Sequence, residues 1–145
     1  MPVRVPAGYY LPEGVEPDHV PPKRRKRNVA REAPIHVAIV RFLKLQLPGA
    51  VIHHSPNGAH LAGDKTKRTI AIAKLKAQGT LIGFPDILIL WRGQFWCMEV
   101  KPKGEHPTDA QEEVGAWIRS QGGRWALVRS IDDARAALRE WRGAA

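Results

Sequence analysis

Cysteine is nearly missing from this chain: Cys97 is the only one in 145 residues. That excludes an intramolecular disulfide and any zinc site built on cysteines. Long apolar runs are missing as well. No stretch approaches the roughly 18 residues of a membrane span, and the N-terminus has no signal-peptide apolar core. The expectation is a soluble, cytoplasmic protein of the bacterial or phage type with no membrane role. A membrane-surface protein would also need a cationic amphipathic helix, which the pattern does not offer. There is no internal repeat, and the length suits one domain. Acidic residues are few, 14 Asp and Glu against 23 Lys and Arg, leaving a net charge of +9. Such an excess favours polyanionic partners, nucleic acid first.

The positive charge belongs to the first half of the chain. Residues 31–76 carry eight basic and two acidic side chains, whereas residues 105–145 carry six and seven. Six of the twelve prolines fall within residues 1–22, a stretch with no apolar periodicity. Residues 1–30 are therefore expected to form an extended or disordered basic arm, and residues 31–145 the folded domain. The arm ends in Lys23, Arg24, Arg25, Lys26 and Arg27. These five cations either solvate a tail or lie along phosphates, where counterion release would favour binding.

Pro34 suits the first turn of a helix, and Ile35, Ala38, Ile39, Phe42 and Leu43 continue it to about Gln46, before Pro48-Gly49. Val51 to His54 reads as a short strand and residues 55–58 as a turn. Lys65 to about Gln78 allows a second helix stopped by Gly79. Ile87–Trp91 and Phe95–Lys101 are apolar runs of strand length joined by Arg92-Gly93, a plausible hairpin. Thr108 precedes an amphipathic helix that Gly122-Gly123 ends. Trp125–Val128 is another strand, and Ser130 with Asp133 three residues on opens a final helix. The fold class is α/β, a small mixed β-sheet flanked by helices.

Ile87, Ile89, Trp96, Met98 and Val100 would line one face of the hairpin, and Leu88, Leu90, Phe95 and Cys97 the other. A strand pair apolar on both sides belongs inside a sheet with helices on each face. Against that background Asp86, Glu99 and Lys101 stand out. Glu99 and Lys101, two apart on a strand, leave the same face. A two-residue loop pairs Trp91 with Gln94 and sets Asp86 opposite Glu99; a three-residue loop sets Ile87 there instead. Facing carboxylates at about 5 Å repel; Lys101 can offset one of the two charges, and a divalent cation both. Hard oxygen ligands suit Mg²⁺ or Mn²⁺. The plainer reading is an ion-pair triad at the sheet's end.

Gly83-Phe84-Pro85-Asp86-Ile87-Leu88-Ile89-Leu90 followed by Met98-Glu99-Val100-Lys101 resembles the PD-(D/E)XK nuclease signature, and more narrowly the VRR-NUC family. The ordered set also includes Glu32 before Ile35-His36, Asn57-Gly58, Gln111, and Val128-Arg129-Ser130, covering about residues 31–141. His36 stands where that family more often has glutamine, and Ser130 replaces the second arginine of its name-giving Val-Arg-Arg.

The resemblance implies a restriction-endonuclease-like core and metal-dependent phosphodiester hydrolysis. Asp86 and Glu99 would hold Mg²⁺, with Mn²⁺ as a substitute, and the Val100 carbonyl would add a ligand. Bound water becomes more acidic and phosphate charge is stabilised. Lys101 would position that water or neutralise the phosphate; a general-base role would need its pKa lowered. Glu32 would reach the metal or its water, or else simply complement the helix dipole. Gln111 would orient a phosphate or water, or else face solvent at its helix start. Adjacent His53 and His54 point to opposite faces, so a zinc site with His60 is not favoured. Asn57 would shape a loop near DNA, and Lys65, Lys67, Arg68, Lys74 and Lys76 would include phosphate contacts, while some of them merely solvate a helix face.

The leading expectation is a structure-specific DNA endonuclease, resembling small homodimeric Holliday junction resolvases and acting on branched or flapped DNA in repair or recombination. Trp117 and Trp141 are candidate dimer contacts, or else each sits in its own core, Trp141 on the stripe with Ala134, Ala137 and Leu138. The alternatives are a less selective nickase or exonuclease, and a non-catalytic DNA-binding module that keeps the nuclease fold.

Overall fold

The structure is a computed structural model and describes residues 29–56 and 63–144. Residues 1–28 with Lys23 to Arg27, and residues 57–62 with Asn57, Gly58 and His60, lie outside the described residues. The elements are α1 (Val29–Gln46), β1 (Val51–His54), α2 (Lys65–Ala77), β2 (Ile87–Trp91), β3 (Gln94–Val100), α3 (Asp109–Ser120), β4 (Arg124–Val128) and α4 (Ile131–Gly143). The strands form one sheet in the order β1-β2-β3-β4. The first three are antiparallel to their neighbours, and β4 runs parallel to β3 after the α3 crossover. The expected mixed α/β sheet is the one observed.

One local turn sets the sheet's register. Arg92 (φ 48°) and Gly93 (φ 75°) both lie in the left-handed region, as a two-residue type I′ loop requires. Glycine enters this region freely, whereas an L-residue such as Arg92 strains to do so. The Arg92 guanidinium lies 4.5 Å from the Trp91 ring centroid. The resulting pairing runs from Trp91↔Gln94 to Ile87↔Met98, the outcome expected of a two-residue loop.

The two faces of β3 bury into two cores, as its doubly apolar pattern requires. Ile87, Ile89, Trp96, Met98, Val100 and Val128 pack against Ile39, Leu43 and Leu47 of α1 and Ala134, Ala137, Leu138 and Trp141 of α4. On the opposite face Cys97 meets Val114 and Ile118 of α3, with Leu81, Phe84, Leu88, Phe95 and Trp125 alongside. Coverage on the α3 side stops short of β1. Leu90 and its partner Val51 are 45% and 58% exposed, so the expected burial of Leu90 does not hold.

Several local expectations need correction. The first helix starts at Val29 and runs through Pro34 instead of opening on it. Proline's φ is helical, so the ring costs one i→i−4 bond and crowds the residue before it. The extra turn carries Glu32, whose long-range contact is described below. At α4 the Ser130 hydroxyl accepts from the Asp133 amide (3.1 Å), but the Asp133 carboxylate accepts from the Arg129 N–H (2.8 Å) rather than from Ser130. Trp141 is 4% exposed and packs on Trp96 at 5.4 Å between centroids. It belongs to the chain's own core, which removes it as a dimer contact, while Trp117 is half-buried. No helix among the described residues is long and apolar enough to cross a membrane.

Candidate active site

Strand β2 begins where the antiparallel ladder stops being made by backbone alone. Continuing the register past Ile87↔Met98 sets Asp86 across from Glu99 and Pro85 across from Val100. Proline has no N–H to return to the Val100 carbonyl. The Val100 N–H is instead taken by the Asp86 carboxylate, Oδ2, at 3.0 Å. A strand residue directs its N–H and C=O to the same edge. The Lys101 N–H bonds to the Val128 carbonyl at 3.0 Å, so residues 99 and 101 serve β4, and the Val100 carbonyl faces the Asp86 side.

Asp86 is fixed from its other side by β1. Its backbone carbonyl accepts from the Ser55 N–H at 2.8 Å and lies 3.1 Å from His54 Nδ1. The His54 ring meets His36 edge-on, with centroids 4.3 Å apart. Sequence reasoning missed this imidazole pair. The available signal was His36 one turn after Glu32 on the same face of α1.

Glu99 is fully buried, and Asp86 and Lys101 are 5% and 3% exposed. Lys101 Nζ donates to Glu99 Oε1 at 2.6 Å and stands 3.6 Å from Glu32 Oε1. The ammonium thus lies between carboxylates from a strand and a helix. Burying these charges costs free energy that only close pairing recovers.

Gln111 completes the cluster. Thr108 caps α3, accepting from the Gln111 amide at 3.3 Å, while Gln111 Oε1 accepts from the Thr108 N–H at 2.9 Å. This reciprocal capping box directs the side-chain amide, whose Nε2 donates to Glu99 Oε1 at 2.6 Å. Gln111 is 6% exposed, so the solvent-facing alternative does not hold. Gly83 allows this docking: a Cβ there would sit 2.5 Å from the Ala110 carbonyl oxygen, and its φ is +86°. Arg129 reaches back to the carbonyl of Pro102 at 2.9 Å, bracing the backbone just after Lys101.

The structure therefore brings Asp86, Glu99, Val100, Lys101, Glu32 and Gln111 to one place. It does not bring α2 into that cluster: Lys65, Lys67, Arg68 and Lys74 are exposed on a separate helix. His53 and His54 leave opposite faces of β1, as expected of neighbours on a strand. Among the described residues no three His, Cys, Asp or Glu side chains are gathered as a metal-holding group. The candidate donors are two carboxylates and one main-chain carbonyl, all hard oxygens. That set fits Mg²⁺ or Mn²⁺, since Mg²⁺ keeps several waters and takes one or two carboxylates.

No protein-family model matches the chain, and no curated protein matches it. Among solved structures it is similar to one described as a VRR_NUC domain protein. Identity is 20%, the TM-score 0.57, and the likeness covers 76% of this chain and 86% of that one. A second, described as a VRR_NUC domain, is 21% identical with a TM-score of 0.49, over 75% of this chain and 95% of that one. The first likeness shows the fold: a four-stranded mixed sheet flanked by helices, shared with a VRR_NUC domain structure.

Proposed function

We propose that this chain is a metal-dependent DNA endonuclease, a hydrolase acting on phosphodiester bonds. The observation that carries this reading is the buried cluster at the end of β3. Asp86 and Glu99 face each other, Lys101 and Gln111 converge on one oxygen of Glu99, and a nuclease-type fold surrounds them. A structural ion-pair triad needs no glutamine aimed at it and no proline opposite Val100.

Asp86, Glu99 and the Val100 carbonyl would hold the cation, Mg²⁺ or Mn²⁺. When bound it supplies acidity to an attacking water and positive charge to the phosphate oxygens. The chain's own residues do the rest. Val100 N–H, Ser55 N–H and His54 fix Asp86 so that its carboxylate needs no reorientation. Gln111 and Lys101 fix Glu99 through Oε1. Lys101 carries the positive charge that offsets the developing phosphate charge, and Glu32 holds that ammonium from its far side.

Opposite-strand cuts across a four-way junction require two such sites, and a two-fold homodimer is the commonest way to place them. Val51 and Leu90, paired and exposed on one sheet face, are the apolar surface suited to such a contact.

The test incubates the protein with labelled duplex, flap, single-stranded and four-way junction DNA in Mg²⁺, Mn²⁺ or EDTA. Cleavage that needs the metal supports the nuclease. Paired cuts in the junction, together with a dimer by sedimentation, support the resolvase. A dimer that cuts flaps but spares junctions keeps the nuclease and discards the resolvase, and no cleavage of any substrate with either metal discards both.

A further inference from the structure

Helix α2 is unlike the other three helices. None of its 13 residues is fully buried, only Ala71, Ile72 and Leu75 are partly so, and Ile70 is 63% exposed. It carries Lys65, Lys67, Arg68, Lys74 and Lys76 and no acidic residue between Lys65 and Ala77. Among the described residues no carboxylate forms an ion pair with these cations. Asp64 caps the helix through the Lys67 amide at 2.9 Å. A helix of this length is marginal in water without a packing surface, and its uncompensated cations repel one another.

Its exposed face has a definite shape. Thr66, Ile70, Ala73 and Ala77 are exposed and fall on one line along the helix. At 3.6 residues per turn, Lys67 and Lys74 lie about 70–90° to one side of that line. Lys65 and Lys76 lie about 90–110° to the other. The helix therefore presents a low ridge with a row of ammonium groups on each flank.

We infer that α2 is a duplex-binding element that lays this ridge into the major groove of double-stranded DNA. This deepens the nuclease reading and rests on it for the choice of DNA. The major groove is about 12 Å wide, and a helix with its side chains about 10–12 Å. Two rows of phosphates border the groove, and the two rows of lysines match them. A single strand offers one row. Thymine methyl groups on the groove floor suit Ile70 and its small neighbours. The nine residue steps from Ala77 to Asp86 span at most about 32 Å. That is within one turn of duplex, about 34 Å, so α2 and the cluster at Asp86 reach the same substrate.

The experiment measures binding alone, in EDTA, with a labelled 20-base-pair duplex and a 20-nucleotide single strand titrated across salt. The variants are Ile70→Glu, Ala73→Glu and the pair Lys67→Ala with Lys74→Ala, with Arg139→Ala on α4 as control. Because Lys67, Ile70, Ala73, Lys74 and Arg139 are all exposed, each variant keeps the parent melting temperature. Ile70→Glu and Ala73→Glu are expected to weaken duplex binding at least tenfold and to change single-strand binding less than twofold. The lysine pair lowers the salt slope by about 1.8, at about 0.9 per phosphate. The parent protects guanine N7, which faces the major groove, from methylation, and Ala73→Glu loses that protection. Unchanged duplex affinity overturns the inference, as does an equal loss on single strand and duplex. Displacement of duplex by an equal charge of polyglutamate, with no guanine protection, overturns it in favour of an acidic protein partner. Failure of the nuclease reading appears separately, as binding without hydrolysis when Mg²⁺ is restored.

Discussion

The side-chain amide of Gln111 donates to Glu99 Oε1 at 2.6 Å while its carbonyl accepts from the Thr108 N–H. One residue therefore does two jobs: it caps α3 and orients the buried carboxylate of β3. The coupling means that a change made for the helix is felt at the site.

Gln111→Ala should separate the two roles in size. It removes a hydrogen bond to a buried charged group, which costs roughly 1.5–3 kcal/mol, while the Thr108 hydroxyl still caps the helix. Gln111→Glu keeps the cap acceptor but places a second carboxyl against Glu99. The folded state then favours the protonated form of the new group, so its pKa lies above the unfolded value of about 4.3. Stability relative to the parent is greatest below that value and falls as pH rises through the raised pKa. Denaturant melts from pH 4 to 8 check this, and a pH-independent difference between parent and Gln111→Glu would contradict the contact with Glu99.

Asp86→Asn and Glu99→Gln preserve shape and remove charge. Each is expected to lower Mg²⁺-dependent cleavage by more than about 100-fold while leaving duplex affinity in EDTA unchanged. Isothermal titration with Mn²⁺ gives an independent readout, since either variant should lose the binding heat. A variant that cleaves at the parent rate would place the chemistry elsewhere.

Two glycines with similar backbones make a controlled comparison. Gly79 has φ +93° and open space where a Cβ would stand, with nothing within 4 Å, whereas Gly83 has φ +86° and the Ala110 backbone at 2.5 Å. Gly79→Ala should cost only left-handed strain, about 1 kcal/mol. Gly83→Ala adds a backbone clash at the start of α3 and should cost clearly more, with loss of activity as Gln111 moves off Glu99. Equal melting temperatures for the two variants would contradict the close packing of residues 83 and 110.

Cys97 is fully buried between β3 and α3, and burial pushes its thiol from 9.0 up to about 12. A thiol reagent at pH 8 should leave the native protein unmodified and label it once on unfolding. Between pH 9 and about 12 the unfolded thiol ionises first, so the folded state holds more protons and stability falls as pH rises. Cys97→Ala should therefore show a shallower alkaline decline than the parent. Rapid labelling of the native chain would show that the α3 face opens.

The sequence by itself determined the kind and order of the elements and narrowed the register of the acidic residues to two alternatives. Arg92-Gly93 between two doubly apolar runs allowed a two-residue or a three-residue loop, and the two-residue turn that the structure forms is the one that sets Asp86 across from Glu99. Thr108 and Ser130 marked two helix starts, because a cap bonds its own next turn. These signals are local: each acts within a few residues, through periodicity, capping or a left-handed turn.

Only the tertiary structure decided what depends on groups far apart in sequence. Pro34 suggested a later helix start, whereas α1 begins at Val29 and carries Glu32 to within 3.6 Å of Lys101 Nζ, a contact that no window around residue 34 contains. Gln111 at its helix start was compatible both with orienting a phosphate or water and with facing solvent. Its burial follows from Gly83 letting α3 approach β3. The exposure of Leu90 is a matter of how far the α3 side of the sheet is covered, which depends on how elements stack. The local pattern thus fixes which atoms are available, and packing decides which of them share a buried space, where charge and hydrogen bonding act with least screening.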